Sequence, residues 1–236
     1  MEDNDAALKN GRRVPSCHLS GSKCITYLLE KSRVVSISQG EGTFHVFYQL
    51  LSAPESDKMK IWDGLCGKSV ADFAYMSSTS PEDIGGLAGP DHWPETVAAL
   101  SVFGVEGDTF LDVMRSLCVI LQLGNIVFDS ETHDGEERAV ISSTEELRKL
   151  SVLMGVPEAD IADALTKRFM NTRGEEFTIF LKPNEARDGC DALSKEVSRA
   201  PRSTMFHGSR SQLLSCVDLR KSVRFLSLQV QRGDRT

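Results

Sequence analysis

The chain of 236 residues is 40% hydrophobic and carries a formal net charge of −7. That apolar content is ordinary for a globular protein with a core, and the acidic balance argues against general nucleic-acid binding. The longest apolar run, residues 117–123, is far shorter than the roughly 20 residues that cross a bilayer, so we expect a cytoplasmic protein without a membrane span.

The beginning of the chain predicts a loose end, an extended segment and a helix. Residues 1–20 show no apolar period, so we expect a tail without regular structure. Residues 23–37 are rich in β-branched and aromatic side chains and predict one or two strands, interrupted by the charged residues 30–33. Thr43 can then cap a helix with apolar residues at spacings of three and four, which Pro54 ends.

The middle of the chain predicts several helices around a central one. Residues 55–66 favour a short helix, and the Ser-, Gly- and Pro-rich residues 77–90 favour a surface connection. Pro94 lies near the start of the next helix. Thr109 can cap a helix that is apolar on nearly all faces over residues 110–121, which is typical of the centre of a domain.

After the central helix we expect a short strand over residues 126–128 and a polar loop over residues 130–138. Ser143 and Glu146 have the spacing of a capping box at the start of another helix, with Gly155 just beyond its end.

The last predicted elements are a helix, a hairpin and a helix. Pro157 opens the first helix. Residues 169–172 and 177–181 flank a glycine-containing turn and predict a β-hairpin. Asn184 can cap the final helix.

No constellation of catalytic or metal-binding residues stands out. The six cysteines lack a C-x-x-C pair and the five histidines are dispersed, so neither a disulfide framework nor a metal site is expected. His45, which lies between apolar positions, is interpreted as a packed or edge residue. Gly67-Lys68-Ser69 resembles the end of a phosphate-binding loop, but Trp62 stands where that loop needs its first glycine.

Several segments occur in the same order as in a known family. TYLLEKSRVV, FHVFYQLL and LQLGNIVF, with WPETVAALSVFGV, LSVLMGVPEADIADALTKR and EARDGCDALSKEV, give residues 21–197 a clear resemblance to the upper part of a myosin motor domain. The resemblance implies a partial myosin-head fold, mainly α with a few β strands, related to P-loop NTPases but without the P-loop. It also implies that TYLLEKSRVV forms strands of the central transducer sheet and that the rest belongs to the upper 50-kDa subdomain.

The resemblance places the predicted hairpin where myosins have a surface loop that meets actin, so an actin filament is the expected partner. Its mixed charges suit a salt-sensitive protein contact, and an ordinary solvated hairpin is the alternative. The candidate contact residues are Arg168, Asn171, Arg173, Gly174, Glu175 and Glu176.

The nucleotide-binding motifs of the family do not occur in this sequence. Intact myosins hold Mg-ATP with a G-x-x-x-x-G-K-T loop, a first switch rich in Asn, Ser and Arg, and a second switch with an Asp-Ile-x-Gly-Phe-like core. Phosphoryl transfer depends on such groups, so we expect neither catalytic residues nor a cofactor in this chain. It would serve an actin-based, ATP-driven motor by family, yet be catalytically silent.

We therefore divide the chain into a loose tail over residues 1–20, a partial motor domain over residues 21–199 and a basic, disordered tail over residues 200–236. The last part holds seven Lys or Arg against two Asp. The breaks in resemblance at both ends favour a gene model or splice product cut from a longer motor, located with the cytoskeleton. The alternatives are a stand-alone actin or protein-interaction module without ATPase activity, and a product with no stable fold.

Overall fold

The computed structural model describes residues 7–9, 12–14, 30–38, 41–76, 92–172 and 175–198. These residues form helices around one core and three two-stranded antiparallel ladders, which agrees with the predicted class, mainly α with a few β strands. The helices are α1 (His45–Ser52), α2 (Glu55–Ile61), α3 (His92–Val102), α4 (Gly107–Gly124), α5 (Thr144–Met154), α6 (Glu158–Thr166) and α7 (Pro183–Val197). The strands are β1 (Ala7–Lys9), β2 (Arg12–Val14), β3 (Phe128–His133), β4 (Glu136–Ile141), β5 (Lys167–Thr172) and β6 (Glu175–Phe180). Within the described ranges, every helix is too short or too polar to span a membrane.

Helix α4 lies at the centre of the core, as its sequence predicts. Met114, Ile120 and Leu123 are almost completely buried, and α4 packs against α2, α5 and α7. The predicted cap Thr109 lies inside the first turn of α4 and does not precede it. Gly107 has a left-handed φ of 56°, which turns the chain into the helix earlier than the apolar pattern indicates.

Helix α3 packs against α1 and confirms the helix predicted around Pro94. The helix begins at His92, so Pro94 lies in its first turn, where a missing amide costs no intrahelical hydrogen bond. Trp93 is buried, and its indole donates a hydrogen bond of 3.1 Å to the Asp57 carboxylate, which ties α3 to α2. The connection predicted over residues 77–90 lies outside the described residues.

The charged interruption predicted at residues 30–33 coincides with a 3₁₀ turn, Lys31–Val34. The strand predicted to follow it, over residues 34–37, is wrong, because Val34 belongs to the turn and residues 35–37 are not in a strand. The Arg33 guanidinium lies 2.9 Å from the carboxylate of Glu30, three residues earlier. In a strand these two residues would be about 10 Å apart and on opposite faces, so their ion pair favours a helical turn.

Helix α1 is not capped by the Thr43 side chain. The Thr43 hydroxyl donates to the Arg33 carbonyl at 3.0 Å, and the Thr43 amide donates to the Tyr48 hydroxyl at 3.2 Å. Thr43 therefore joins the start of α1 to the 3₁₀ turn.

Helix α1 ends just before Pro54 as predicted. The helix predicted over residues 55–66 is split into α2 and a second 3₁₀ turn.

Two segments predicted to be irregular contain antiparallel strands. The polar loop predicted over residues 130–138 is the β3–β4 hairpin, in which Asp134 and Gly135 have φ of 54° and 82°. That left-handed conformation is required by two-residue hairpin turns, and Asp-Gly favours it.

The predicted tail over residues 1–20 contains the pair β1 and β2. The residues between them are Asn10-Gly11, the other dipeptide typical of such turns.

Helices α5 and α6 confirm the helices predicted after residue 143, although the capping box is not formed. The Ser143 hydroxyl accepts a hydrogen bond from the Val127 amide at 2.9 Å and does not cap α5. The Glu146 carboxylate instead accepts from the Gln122 side chain at 2.6 Å. Gly155 ends α5 with a left-handed φ of 63°, as predicted.

Helix α7 confirms the last predicted helix and closes the core beside α4. It begins at Pro183, one residue before the predicted cap Asn184. The amide of Lys182 donates to the Glu185 carboxylate at 2.9 Å, which satisfies a backbone group at this end. Its buried face carries the predicted residues Ala186, Cys190, Leu193 and Val197.

Candidate functional site

The predicted contact hairpin is formed by β5 and β6, which follow α6 directly. Its register places four candidate contact residues on the ladder: Arg168 opposite Ile179, Asn171 opposite Glu176, and Glu175 opposite Thr172. Arg173 and Gly174 lie outside the described residues. The hairpin is therefore confirmed, with Asn171, Glu175 and Glu176 near its turn and Arg168 near its foot.

Exposed apolar side chains cover this hairpin. Phe169 is 50% exposed, Phe177 is 49% exposed and Ile179 is 43% exposed. Because side chains alternate between the two faces of a strand, Phe177 and Ile179 share one face of the ladder and Phe169 lies on the other. Single exposed apolar residues are normal, but Phe177 and Ile179 are neighbours on one face and form a surface that suits a protein contact.

Sequence reasoning selected the charged residues of the hairpin and missed these apolar ones. Phe177 and Ile179 are two residues apart, which is the spacing of one face of a strand. That spacing normally predicts burial against a core. In this protein both residues remain exposed. The alternating pattern was therefore visible in the sequence, but whether it leads to burial depends on which helices or strands pack against that face.

Arg168 has a different environment from the other candidate contact residues. It is half-buried, and its Nε is buried with no hydrogen-bond partner among the described residues. The preceding residue, Lys167, has its ammonium group 2.6 Å from the carboxylate of Asp163 in α6. Arg168 therefore belongs to the foot of the hairpin and not to its turn.

The foot of the hairpin is attached to β4 and α6. Leu181, directly after β6, donates a backbone hydrogen bond to the Thr166 carbonyl at 2.9 Å and accepts one from the Ala139 amide at 2.7 Å. The Arg138 guanidinium carbon lies 4.1 Å from the centroid of the Phe180 ring. A cavity of about 300 Å³ lies between the two hairpins at this point.

The segment Gly67-Lys68-Ser69 does not have the geometry of a phosphate-binding loop. The Lys68 ammonium donates to the Asp72 carboxylate at 2.9 Å, and the Ser69 amide and hydroxyl donate to the same carboxylate at 2.8 and 2.9 Å. The Lys68 hydrogen bond, followed by those from Ser69, lowers the pKa of Asp72 to about 2. Because the groups that would hold a phosphate are bound to a carboxylate, these residues do not fit ATP or its magnesium ion.

The remaining chemically reactive side chains are dispersed or buried. Within the described ranges, no group of three His, Cys, Asp or Glu is placed to hold a metal ion. Burial raises the pKa of the Cys118 thiol and raises that of Cys190 to about 12, so both remain protonated core residues. His45 is exposed at the start of α1.

The chain is similar to known proteins over most of its length. The family model described as myosin head (motor domain) matches residues 15–207. The chain is 35% identical over 182 residues to Myosin-1 of Coprinopsis cinerea and 33% identical over 177 residues to Unconventional myosin-Ic of Rattus norvegicus, with 75% of this chain covered in each case. It is 31% identical over 201 residues, 81% of its length, to Unconventional myosin ID of Drosophila melanogaster. It spans 14%, 16% and 19% of the lengths of these three relatives.

Proposed function

Because the chain belongs to the myosin head (motor domain) family, we propose that it is the part of an actin-based motor that presents a hairpin to the filament. The observation that supports the proposal is that Phe177 and Ile179 are both exposed on one face of the β5–β6 ladder. A surface of this kind, on a ladder held at its foot, is suited to be covered by a partner. In this proposal the chain is located with the cytoskeleton.

The proposed contact combines apolar residues with charged ones. Phe177 and Ile179 lie on one face of the ladder and would be buried against the filament. Aromatic residues are typical energetic anchors of protein interfaces, whereas exposed charges at the edge mainly set association rate and salt dependence. The predicted contact residues Arg173, Glu175 and Glu176 would have this second role.

Cosedimentation of the full chain with filamentous actin tests the contact. Phe177→Ser is expected to weaken binding about tenfold, since loss of an aromatic anchor costs on the order of 1–2 kcal/mol. Val152→Ser makes a comparable change at a residue of α5 that is 67% exposed, and it should leave binding unchanged. If the unaltered chain does not pellet with actin at low ionic strength, the proposal is wrong.

The contribution of the charged residues is tested by varying the ionic strength. Arg173→Glu is expected to weaken binding at low salt and to have less effect at high salt, because exposed charges are screened. An equal loss at every salt concentration would mean that Arg173 does not act through charge.

We further propose that the residues of this chain do not bind or hydrolyse ATP. The sequence has no G-x-x-x-x-G-K-[ST] motif, and the Lys68 ammonium is bound to Asp72. The relation of the fold to P-loop NTPases remains a prediction from the resemblance. Phosphate release from Mg-ATP should match a buffer blank with or without actin, and actin-stimulated release above that blank would contradict this part of the proposal.

A second candidate function is a stand-alone actin-binding module. The observation that favours it is that all seven described helices contribute to one continuous core, so the chain has a core of its own. Scanning calorimetry of the full chain should then show one cooperative unfolding transition. The absence of a transition would exclude this candidate and would favour a chain that needs a larger motor domain to fold.

A further inference from the structure

We propose that Arg138 of β4 is a positioning residue that fixes the orientation of the β5–β6 hairpin by holding Phe180. This inference rests on the proposed function, and it adds a residue outside the contact surface on which the contact depends.

The hairpin is held at its foot and not along its length. Phe169 on one face and Phe177 with Ile179 on the other are all exposed, so neither face is packed fully against the core. A two-stranded ladder without such packing has little stability of its own. Its orientation is therefore set by the contacts where β6 ends.

Two kinds of contact occur at that end. The backbone of Leu181 is hydrogen-bonded to Thr166 and Ala139, which fixes the point where the chain leaves the hairpin. The side chain of Phe180, the last residue of β6, lies close to Arg138 and Lys167. The Arg138 guanidinium carbon is 4.1 Å from the ring centroid, and the Lys167 ammonium is 5.7 Å from it.

Among the described residues, the only ion pair of Arg138 is a marginal one. The Glu136 carboxylate lies 4.0 Å away, at the limit of an ion pair, and the Arg138 Nε is buried with no hydrogen-bond partner among the described residues. Only 22% of the Arg138 side chain is exposed. Lys167, in contrast, is bound to Asp163 at 2.6 Å.

The Phe180 ring is thus the main group that holds the Arg138 guanidinium. A cation that lies over an aromatic ring shifts an equilibrium by a factor of about 2 to 30, depending on how far it is removed from water. Because Arg138 lies on β4 and Phe180 on β6, this contact joins the two hairpins side chain to side chain. Its loss should leave the Leu181 hydrogen bonds in place and let the β5–β6 ladder move about its foot.

Two variants separate the charge from the length of the side chain. Arg138→Gln removes the cation and keeps a polar side chain, whereas Arg138→Lys keeps a cation that can lie over the ring. Arg148→Gln is the matched control, because Arg148 is exposed on α5 and is paired with Glu145 at 2.7 Å.

The first measurement is hydrogen–deuterium exchange of the full chain, which does not depend on actin. Arg138→Gln is expected to speed exchange of the amides of residues 175–181 at least about threefold, while amides of α4 keep their rates. Arg138→Lys and Arg148→Gln should exchange like the unaltered chain. Unchanged exchange at residues 175–181, or equal acceleration in α4, would overturn the inference.

The second measurement is cosedimentation with filamentous actin. Arg138→Gln should weaken binding about fivefold, Arg138→Lys should restore it, and Arg148→Gln should have no effect. Weaker binding with unchanged exchange would mean that Arg138 touches the filament itself, and the positioning role would be wrong. If the unaltered chain does not bind actin, the proposed function fails, and the exchange experiment still decides whether Arg138 holds the hairpin.

Discussion

Helix α4 and the β5–β6 hairpin are both rich in apolar residues, but they place them in opposite environments. Ile120 and Leu121 in α4 are almost completely buried, whereas Phe177 and Ile179 in β6 are about half exposed. The difference comes from the neighbours, since α4 is packed by three helices and the hairpin is attached mainly at its foot.

This contrast separates two roles for apolar side chains. Those of α4 contribute to the free energy of folding, because each removes apolar surface from water and fills the core. Those of the hairpin contribute little until a partner covers them. Truncations in the two regions should therefore change different measured quantities.

The largest predicted effect is a loss of stability on truncation in α4. Ile120→Ala should lower the free energy of unfolding by about 2–5 kcal/mol, because it leaves a cavity among fully buried side chains. Phe177→Ala should change it by about 0.5 kcal/mol or less. Urea denaturation of the full chain followed by circular dichroism measures both values. Similar losses for the two variants would show that the hairpin is packed, and the comparison would fail.

Two glycines in helices also differ in how closely other atoms surround them. A Cβ at Gly124 in α4 would lie 2.8 Å from the Tyr75 ring, whose hydroxyl is held by Asp191 at 2.6 Å. Gly124→Ala should therefore destabilise the protein by about 1–3 kcal/mol.

At Gly189 in α7 a Cβ would meet no heavy atom within 4 Å, so Gly189→Ala should stabilise the protein by about 0.5–1 kcal/mol. The same urea experiment measures the two opposite signs, and destabilisation by Gly189→Ala would contradict the open position.

The sequence was sufficient to predict most helices and the β5–β6 hairpin, because the signals for them are local. Spacings of three and four marked the buried faces, and Pro54, Gly155 and Pro157 marked ends of helices where the structure has them. The family resemblance was also visible in short segments. Each of these features depends on residues that are close together in the chain.

Features that depend on distant neighbours could not be predicted in the same way. β-branched residues after the charged segment 30–33 predicted a strand, but Val34 lies in a 3₁₀ turn, and the Arg33 carbonyl of that turn accepts a hydrogen bond from the Thr43 hydroxyl, ten residues along the chain. The exposure of Phe177 depends on which helices and strands pack against the hairpin, and the local sequence does not show this. The β3–β4 hairpin was a different kind of miss, because the local Asp134-Gly135 signal was present and the polar composition was weighed above it.

The smallest predicted effect is a dependence of stability on pH. It arises from Asp72 near the end of α4 and not from the hairpin. Asn125, which follows α4, donates to the Asp72 carbonyl at 2.9 Å, so the segment around Asp72 is attached to the end of that helix. The hydrogen bonds from Lys68 and Ser69 lower the pKa of Asp72 from 3.8 to about 2. A carboxyl group whose pKa is lowered by folding stabilises the protein when ionised, and this stabilisation is lost as the pH falls.

Asp72→Asn should therefore be less stable than the unaltered chain at about pH 6, by about 1 kcal/mol or less, since the ion pair is partly exposed to solvent. The difference should shrink as the pH falls from about 4 towards 2, because over that window the unfolded chain binds a proton at Asp72 that the folded chain does not yet bind. Melting temperatures of both chains across this range measure the effect. A difference that stays constant down to about pH 2 would mean that the amide disturbs the packing at the end of α4, and that the charge of Asp72 contributes nothing.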